Sequence, residues 1–414
     1  MAMNIAHGST LRAHKSAITC FKLISISVIP LLLSGDSNGD LYLWNLLTRR
    51  PILHYSLNQG DGGNYGIVSL DHINGIYVVH SKDHNVRFFR TLGNDTIIER
   101  CDSREPFQTF VQIYEIPVNS LNFANVSVTH LKGDLYQLAC TNTMNSEGID
   151  IYNFDINDPH SLKRIFADIN FYETVKAILD DKEVFRFEKL GIVMRFLECN
   201  ATIFFGFESG FVIGVRMQKD LTILSKDGEA SSPKSGLSKL KLDVSKDIKK
   251  CLEIVYISSL HYPNPVLALS YGHDAHTLIS SSTDDKIGIH HVPKTEEKSQ
   301  IDVSDYHTNI ERTIIVKRSM EISREGIETS VKEVGYVSSA GDIMALGTWS
   351  GKTVIFKSMR PIQNFSRSKS NVLIDPSAVG SFQNPEKEKK RAKIGAMCLL
   401  PKNKTPGGGY KSKG

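Results

Sequence analysis

The sequence predicts an all-β fold built from one repeated unit. A strand–turn–strand pattern recurs as LLLSGDSNGDLYLWN (31–45), IYVVHSKDHNVRFFR (76–90), QLACTNTMNSEGIDIYN (137–153), TIFFGFESGFVIGV (202–215), TLISSSTDDKIGIHH (277–291) and IMALGTWSGKTVIFK (343–357). Each copy sets residues of high strand preference around an Asp/Asn/Ser/Gly turn that tolerates positive φ. No 3.6-residue periodicity is sustained over these stretches, which excludes a helical solenoid.

Ala17–Leu23 reads as a strand ahead of the first hairpin, and Gly66–Leu70 ahead of the second. Pro117–Phe123, Val193–Leu197, Val266–Ser270 and, loosely, Ile327–Val337 precede the rest. The hairpins end at Trp44, Phe89, Tyr152, Val215, His290 and Phe356. The first interval, about 45 residues, has the length of a WD repeat, a four-stranded propeller blade; longer intervals carry insertions. The expected architecture is therefore a WD40 β-propeller spanning residues 1–414. It has seven blades with an irregular or incomplete last one, or six clear blades. Ser9–Arg12 could supply a closing strand, and Ile394–Leu400 could open the seventh blade. Residues 218–250 and 365–393 are Ser-, Lys- and charge-rich and read as flexible insertions.

In the first repeat, His14 stands before the first strand, Ser34 in the second, Asp36 in the turn and Trp44 at the end of the third. Such a set forms a buried hydrogen-bonded network that locks a blade. Asp83, Asp284 and Trp349 are assigned to the same network in later repeats. Asp284 and Asp285 sit at the turn that matches Asp36, so turn capping outweighs a metal or acid–base reading. His290 ends a strand where a bulky aromatic is expected and reads as a packed substitute for tryptophan. His273, Asp274 and His276 read as a solvated loop.

Composition narrows the function. The chain is 41% hydrophobic and 23% charged with a net charge of +4, so the whole molecule is not marked as a nucleic-acid binder. The six cysteines form no CxxC pair, which argues against a zinc ribbon and favours a reducing compartment. No secretory signal opens the sequence. There is no Walker A run, HExxH, GxSxG or kinase set, and no cofactor is expected. The run KEKKRAK, with Lys387, Lys389, Lys390, Arg391 and Lys393, has the form of a nuclear import signal, weighed equally against a solvated loop.

Particular segments resemble a known family. TLRAHKSAIT and LLLSGDSNGDLYLWNLLTRRPI resemble the first repeat of the fungal ASTRA-associated protein 1 family, itself similar to G-protein-β-like WD proteins. VVHSKDHNVRFFRTL, IYEIPVNSLNFANV (113–126), ALGTWSGKTVIF and KIGAMCLLP resemble its later repeats. The resemblance implies a non-catalytic scaffold subunit of a nuclear assembly called ASTRA. That assembly is linked to chromatin remodelling, telomere maintenance and a co-chaperone module for phosphatidylinositol-3-kinase-related kinases. The expected partners are protein subunits of that complex and of the co-chaperone module, without a membrane. The competing readings are an adaptor that binds DNA or histone tails through the basic segment, and an enzyme with a site in the central channel. The channel enzyme would need inward His, Asp or Glu at equivalent positions of several repeats, and the repeats show none.

Overall fold

The computed structural model describes residues 11–26, 29–58, 60–91, 110–121, 124–180, 187–218, 223–224, 251–272, 276–291, 301–302, 306–309, 313–317, 323, 326–340, 343–357, 359–361, 372–374 and 380–383. Six of their sheets follow one another in chain order, each built on an antiparallel meander of four strands running outward from an innermost strand; the fourth carries two further strands, and two more sheets have two strands each. Blade one comprises Ile18–Ile26, Ile29–Asp36, Asp40–Asn45 and Arg50–Ser56. The innermost strands of blades two to six are Ile67–Ile73, Ser127–Lys132, Val193–Cys199, Val266–Tyr271 and Val334–Ala340. Successive innermost strands lie side by side, so the sheets stack radially as a β-propeller.

Alternation at period two decides which neighbour each side chain meets. Leu41 and Leu43 face blade two, where Ile67, Tyr77, Val79 and Phe89 complete one apolar core. Val86 and Phe88 point the other way and join Tyr136, Leu138 and Phe154 of blade three. Further cores join blades three to four, four to five, and five to six. Five inter-blade cores thus hold six blades. Among the described residues no such core joins blade six to blade one.

The innermost strands share a local device. Those of blades one, two, four, five and six begin with Ile18, Ile67, Val193, Val266 and Val334, and each shifts register just after that residue. Such a bulge bends the strand and re-aims the side chains beyond it. The leading residue wedges against the preceding blade. Ile67 fills the space that a side chain at Gly35 would need, and Val266 does the same over Gly206. Ile67, Val193, Val266 and Val334 are at most 1% exposed, whereas Ile18 is 39% exposed.

Several expectations need adjusting. Pro117–Phe123 is not the inner strand of blade three. Phe110–Pro117 closes blade two, and Ser127–Lys132 opens blade three. Between them Asn119 and Ser120 turn the chain, donating to the Asn142 and Ser81 carbonyls of the two blades. The segment 365–393 is not wholly irregular, because Gly380–Gln383 pairs with Lys352–Lys357 as the outer strand of blade six. An unpaired edge there would leave backbone groups unsatisfied. Of 218–250, Ile223–Leu224 forms a short strand against Ile301–Asp302; residues 219–222 and 225–250 lie outside the described residues. Ser9, Thr10, Ile394–Leu400 and the basic run 387–393 lie outside them as well, and Leu11–His14 carries no strand. Blade four is widened at its rim by Thr313–Lys317 and Tyr306–Asn309, which come from the insertion in blade five.

Candidate functional site

The first repeat's polar set assembles in space. His14 Nδ1 lies 2.8 Å from an Asp36 carboxylate oxygen, and its Nε2 lies 2.7 Å from Ser34 Oγ. The Trp44 indole N–H donates to the same hydroxyl at 2.8 Å. Asp36, fully buried, also accepts the backbone N–H groups of Asn38 and Asp40. Every polar atom is satisfied if a neutral His14 gives its Nδ1 proton to Asp36 and takes the Ser34 proton at Nε2. The tautomer is set by these partners.

Blade five repeats this chain with different residues. His261 approaches Asp284 at 3.2 Å through Nδ1 and Ser280 Oγ at 2.7 Å through Nε2. His290 takes the place of the tryptophan, with Nε2 at 2.6 Å from Ser280 Oγ, while Tyr256 donates its hydroxyl to Nδ1 at 2.9 Å. Gly288 makes the room, since a Cβ there would lie 2.8 Å from His290 Nε2 and would also strike Ser280 Oγ. Burial, then the neighbouring His261 and His291, push the His290 pKa down to about 3. The ring is therefore neutral and can both donate and accept. By register, Ser280 opposite Gly288 matches Ser34 opposite Tyr42, so Ser282 occupies the place of Asp36. Asp284 reaches the histidine from further round the turn.

His261 was missed by sequence reading. The available signal was spacing: it precedes Ser280 by 19 residues, as His14 precedes Ser34 by 20. Asp83 sits in a different lock. It accepts from Ser81 and pairs with Arg87, whose other Nη donates to Ser81 Oγ at 2.9 Å. Burial alone would raise its pKa, but the Arg87 and Ser81 hydrogen bonds and the Arg87 charge hold it below the usual carboxylate range. Trp349 does not occupy the position of Trp44. It lies in the turn between Ile343–Thr348 and Lys352–Lys357, its indole against Gly335, and Phe356 stands at the strand end. His276 reaches Asn200 across blades, while His273 and Asp274 lie outside the described residues.

Chemistry elsewhere is sparse. Among the described residues no group of three or more His, Cys, Asp or Glu is placed to hold a metal. No helix described is long and apolar enough to cross a membrane. Cys140 is a buried free thiol and Cys20 a partly buried one, and desolvation lifts the Cys20 pKa to about 12. Such thiols are poor nucleophiles.

A groove of about 1350 Å³ lies on a face that carries loops between blades. One wall is a helix, Tyr172–Asp180, inserted between blades three and four. Asn170 caps it by accepting the Tyr172 N–H, and Val175, Ile178 and Leu179 anchor it in the core. Its outer side offers Tyr172 and Lys176. Glu188, Glu208, Tyr262 and Pro263 line the rest.

A ring of meandering blades, two of them locked by His–Ser–Asp chains, defines a WD-type propeller, a class whose loops bind partners. The family model for ASTRA-associated protein 1 matches residues 7–413. The chain belongs to that family. It is 34% identical over 399 residues to the ASTRA-associated protein 1 of Lachancea thermotolerans, covering 95% of this chain and 88% of the relative. It is 37% identical over 408 residues to that of Vanderwaltozyma polyspora, covering 94% and 88%. The crystal structure of Chaetomium thermophilum Raptor superposes with a TM-score of 0.52 over 94% of this chain at 11% identity. The matched part is 26% of that chain, and the likeness is one of fold alone.

Proposed function

We propose that this protein is a non-catalytic scaffold subunit of a nuclear assembly of the kind the ASTRA name denotes. In this reading the propeller holds protein partners together and runs no reaction. The partners are ASTRA components and a co-chaperone module, with roles in chromatin remodelling, telomere maintenance and maturation of phosphatidylinositol-3-kinase-related kinases. The basic run from Lys387 to Lys393 serves nuclear import.

One observation carries the non-catalytic reading. Ser34–His14–Asp36 and Ser280–His261–Asp284 have the connectivity of a hydrolase triad. Neither serine is available as a nucleophile. Ser34 is 2% exposed and accepts the Trp44 N–H, and Ser280 is fully buried and accepts from His290. A nucleophile must reach a substrate carbonyl beside oxyanion donors. Here the hydroxyl's capacity is spent within the blade.

Four experiments test this reading. A fluorophosphonate probe should leave the purified chain unlabelled, and labelling at Ser34 or Ser280 would overturn the non-catalytic reading. Affinity purification from nuclear extract should recover a multiprotein assembly; a lone monomer would contradict it. Salt-sensitive DNA binding that vanishes on deleting 384–414 would favour the nucleic-acid adaptor instead. Within the recovered assembly, Tyr262→Ala with Lys176→Glu should lower partner recovery about tenfold in a chain that still unfolds cooperatively, since aromatics dominate such contacts.

A further inference from the structure

We propose that the groove beside the helix Tyr172–Asp180 takes an extended, Lys- or Arg-bearing segment of a partner protein. This rests on the scaffold reading and adds the chemistry of what is held. Size favours a chain over a small molecule, because about 1350 Å³ exceeds the roughly 300–1,000 Å³ of a small-molecule site. An aromatic array crosses the groove from wall to wall. Tyr172 packs edge-on against Phe187 with ring centroids 5.4 Å apart, Phe187 lies 4.8 Å from Phe211, and Phe211 meets Tyr262 at 5.9 Å. Phe187 and Phe211 are buried, whereas Tyr262 is 39% exposed. Aromatic faces carry negative potential and attract cations. The chain already uses this, since Lys176 Nζ stands 5.6 Å from the centroid of the Tyr172 ring. That contact steadies the ring, so replacing Lys176 releases it.

Charge points the same way. Asp180, Glu188 and Glu208 line the groove, are exposed, and make no ion pair among the described residues. Against them stand Lys189 and Lys176, and Lys176 is engaged with Tyr172. Glu208 and Phe211 share the turn between Thr202–Phe207 and Val212–Gln218. The turn is stitched to the loop beneath it: the Glu208 N–H donates to the Ile192 carbonyl, and the Ser209 N–H to the Leu190 carbonyl. Gly191, with φ at 73°, makes room for the carboxylate, since a Cβ there would lie 2.6 Å from Glu208 Oε2. Ser209 adds a buried Oγ without a hydrogen-bond partner among the described residues, the kind of group that a ligand completes. A lysine or arginine seated between Glu208 and Tyr262 meets the charge and lays its apolar stem on the aromatic floor. An acidic segment would meet three carboxylates instead.

Fluorescence anisotropy on the full chain tests the pairing. The probes are a labelled peptide of lysine, glycine and serine and its counterpart with glutamate for lysine. The lysine peptide should bind, the glutamate peptide should not, and raising salt from about 50 to about 300 mM should weaken binding several-fold. Glu188→Gln with Glu208→Gln should weaken the lysine peptide about tenfold, and Tyr262→Leu about fivefold. Glu333→Gln, which alters an exposed carboxylate on the loop between blades five and six, should change binding less than about twofold. A lysine peptide that does not bind the unaltered chain overturns the proposal, and this arm needs no variant to fold. Binding that the paired glutamine variant leaves unchanged overturns it too. Equal or tighter binding of the glutamate peptide does the same in favour of an acidic partner, and a dimer that Tyr262→Leu splits makes a second copy the occupant. An assembly recovered beside a failed peptide arm would sink this proposal alone, whereas peptide binding by a lone monomer would sink the scaffold reading alone.

Discussion

Blades one and five carry the same polar chain, yet one ends it with Trp44 and the other with His290. Both rings give an N–H to a buried serine. The indole can only donate, so it sets the direction of the whole chain. The imidazole can also accept, and Tyr256 uses that capacity. The lock therefore depends on donor geometry, and two different side chains meet the same demand. What the imidazole adds is a proton equilibrium within the core.

The largest effect should come from Trp44→Ala, which removes the aromatic packing and the donor together. A loss of about 3–5 kcal/mol is expected in denaturant unfolding. A loss below about 1 kcal/mol would mean that blade one is not held by its lock.

Serine removal sharpens the comparison. Ser34→Ala leaves the Trp44 N–H and His14 Nε2 without partners, for about 3 kcal/mol. Ser280→Ala should cost less, about 2 kcal/mol, because His290 can shift its proton to the other nitrogen and donate to Tyr256. Equal losses would show that the imidazole's freedom does not matter.

Acid should separate the two blades. With its folded pKa near 3 and an unfolded value near 6.5, His290 favours folding fully above pH 6.5. That contribution falls as pH drops from 6.5 towards 3, by about 2 kcal/mol between pH 7 and 5. His80 in blade two, pushed down to about 4 by burial, acts in the same direction. Exchange at pH 5 should therefore open blades five and two before blade one. The reverse order would break the comparison.

The smallest difference lies in the carboxylates. Asp36 is fully buried, 2.8 Å from its histidine, and accepts two backbone amides. Asp284 is 14% exposed and stands at 3.2 Å. Asp36→Asn should cost about 2 kcal/mol and Asp284→Asn about 1, measured by thermal unfolding.

The hairpins were legible in the sequence because strand alternation and turn chemistry are local. His14, Ser34, Asp36 and Trp44 were legible because their spacing is that of an undistorted repeat. His261 has nearly the same spacing to Ser280 but was passed over, because His290 stands where a tryptophan would mark the repeat and Asp284 lies further round the turn than Asp36. Trp349 misled for the converse reason. Residue type suggested a lock, but the register of Ile343–Thr348 against Lys352–Lys357 leaves it in the turn. The rim strands on blade four come from the insertion of blade five, and although TIIVK (313–317) has strand preference, nothing local signals that it pairs with blade four.

By itself, then, the sequence determined that this chain makes repeated four-stranded units and which residues bury, since period-two alternation and glycine-tolerant turns need only near neighbours. The tertiary structure decided that His261, Ser280 and His290 complete each other, that Asp83 pairs with Arg87, and where the groove forms. Those depend on strand register and on contacts between blades, and no local pattern of residues encodes a distance across a ring.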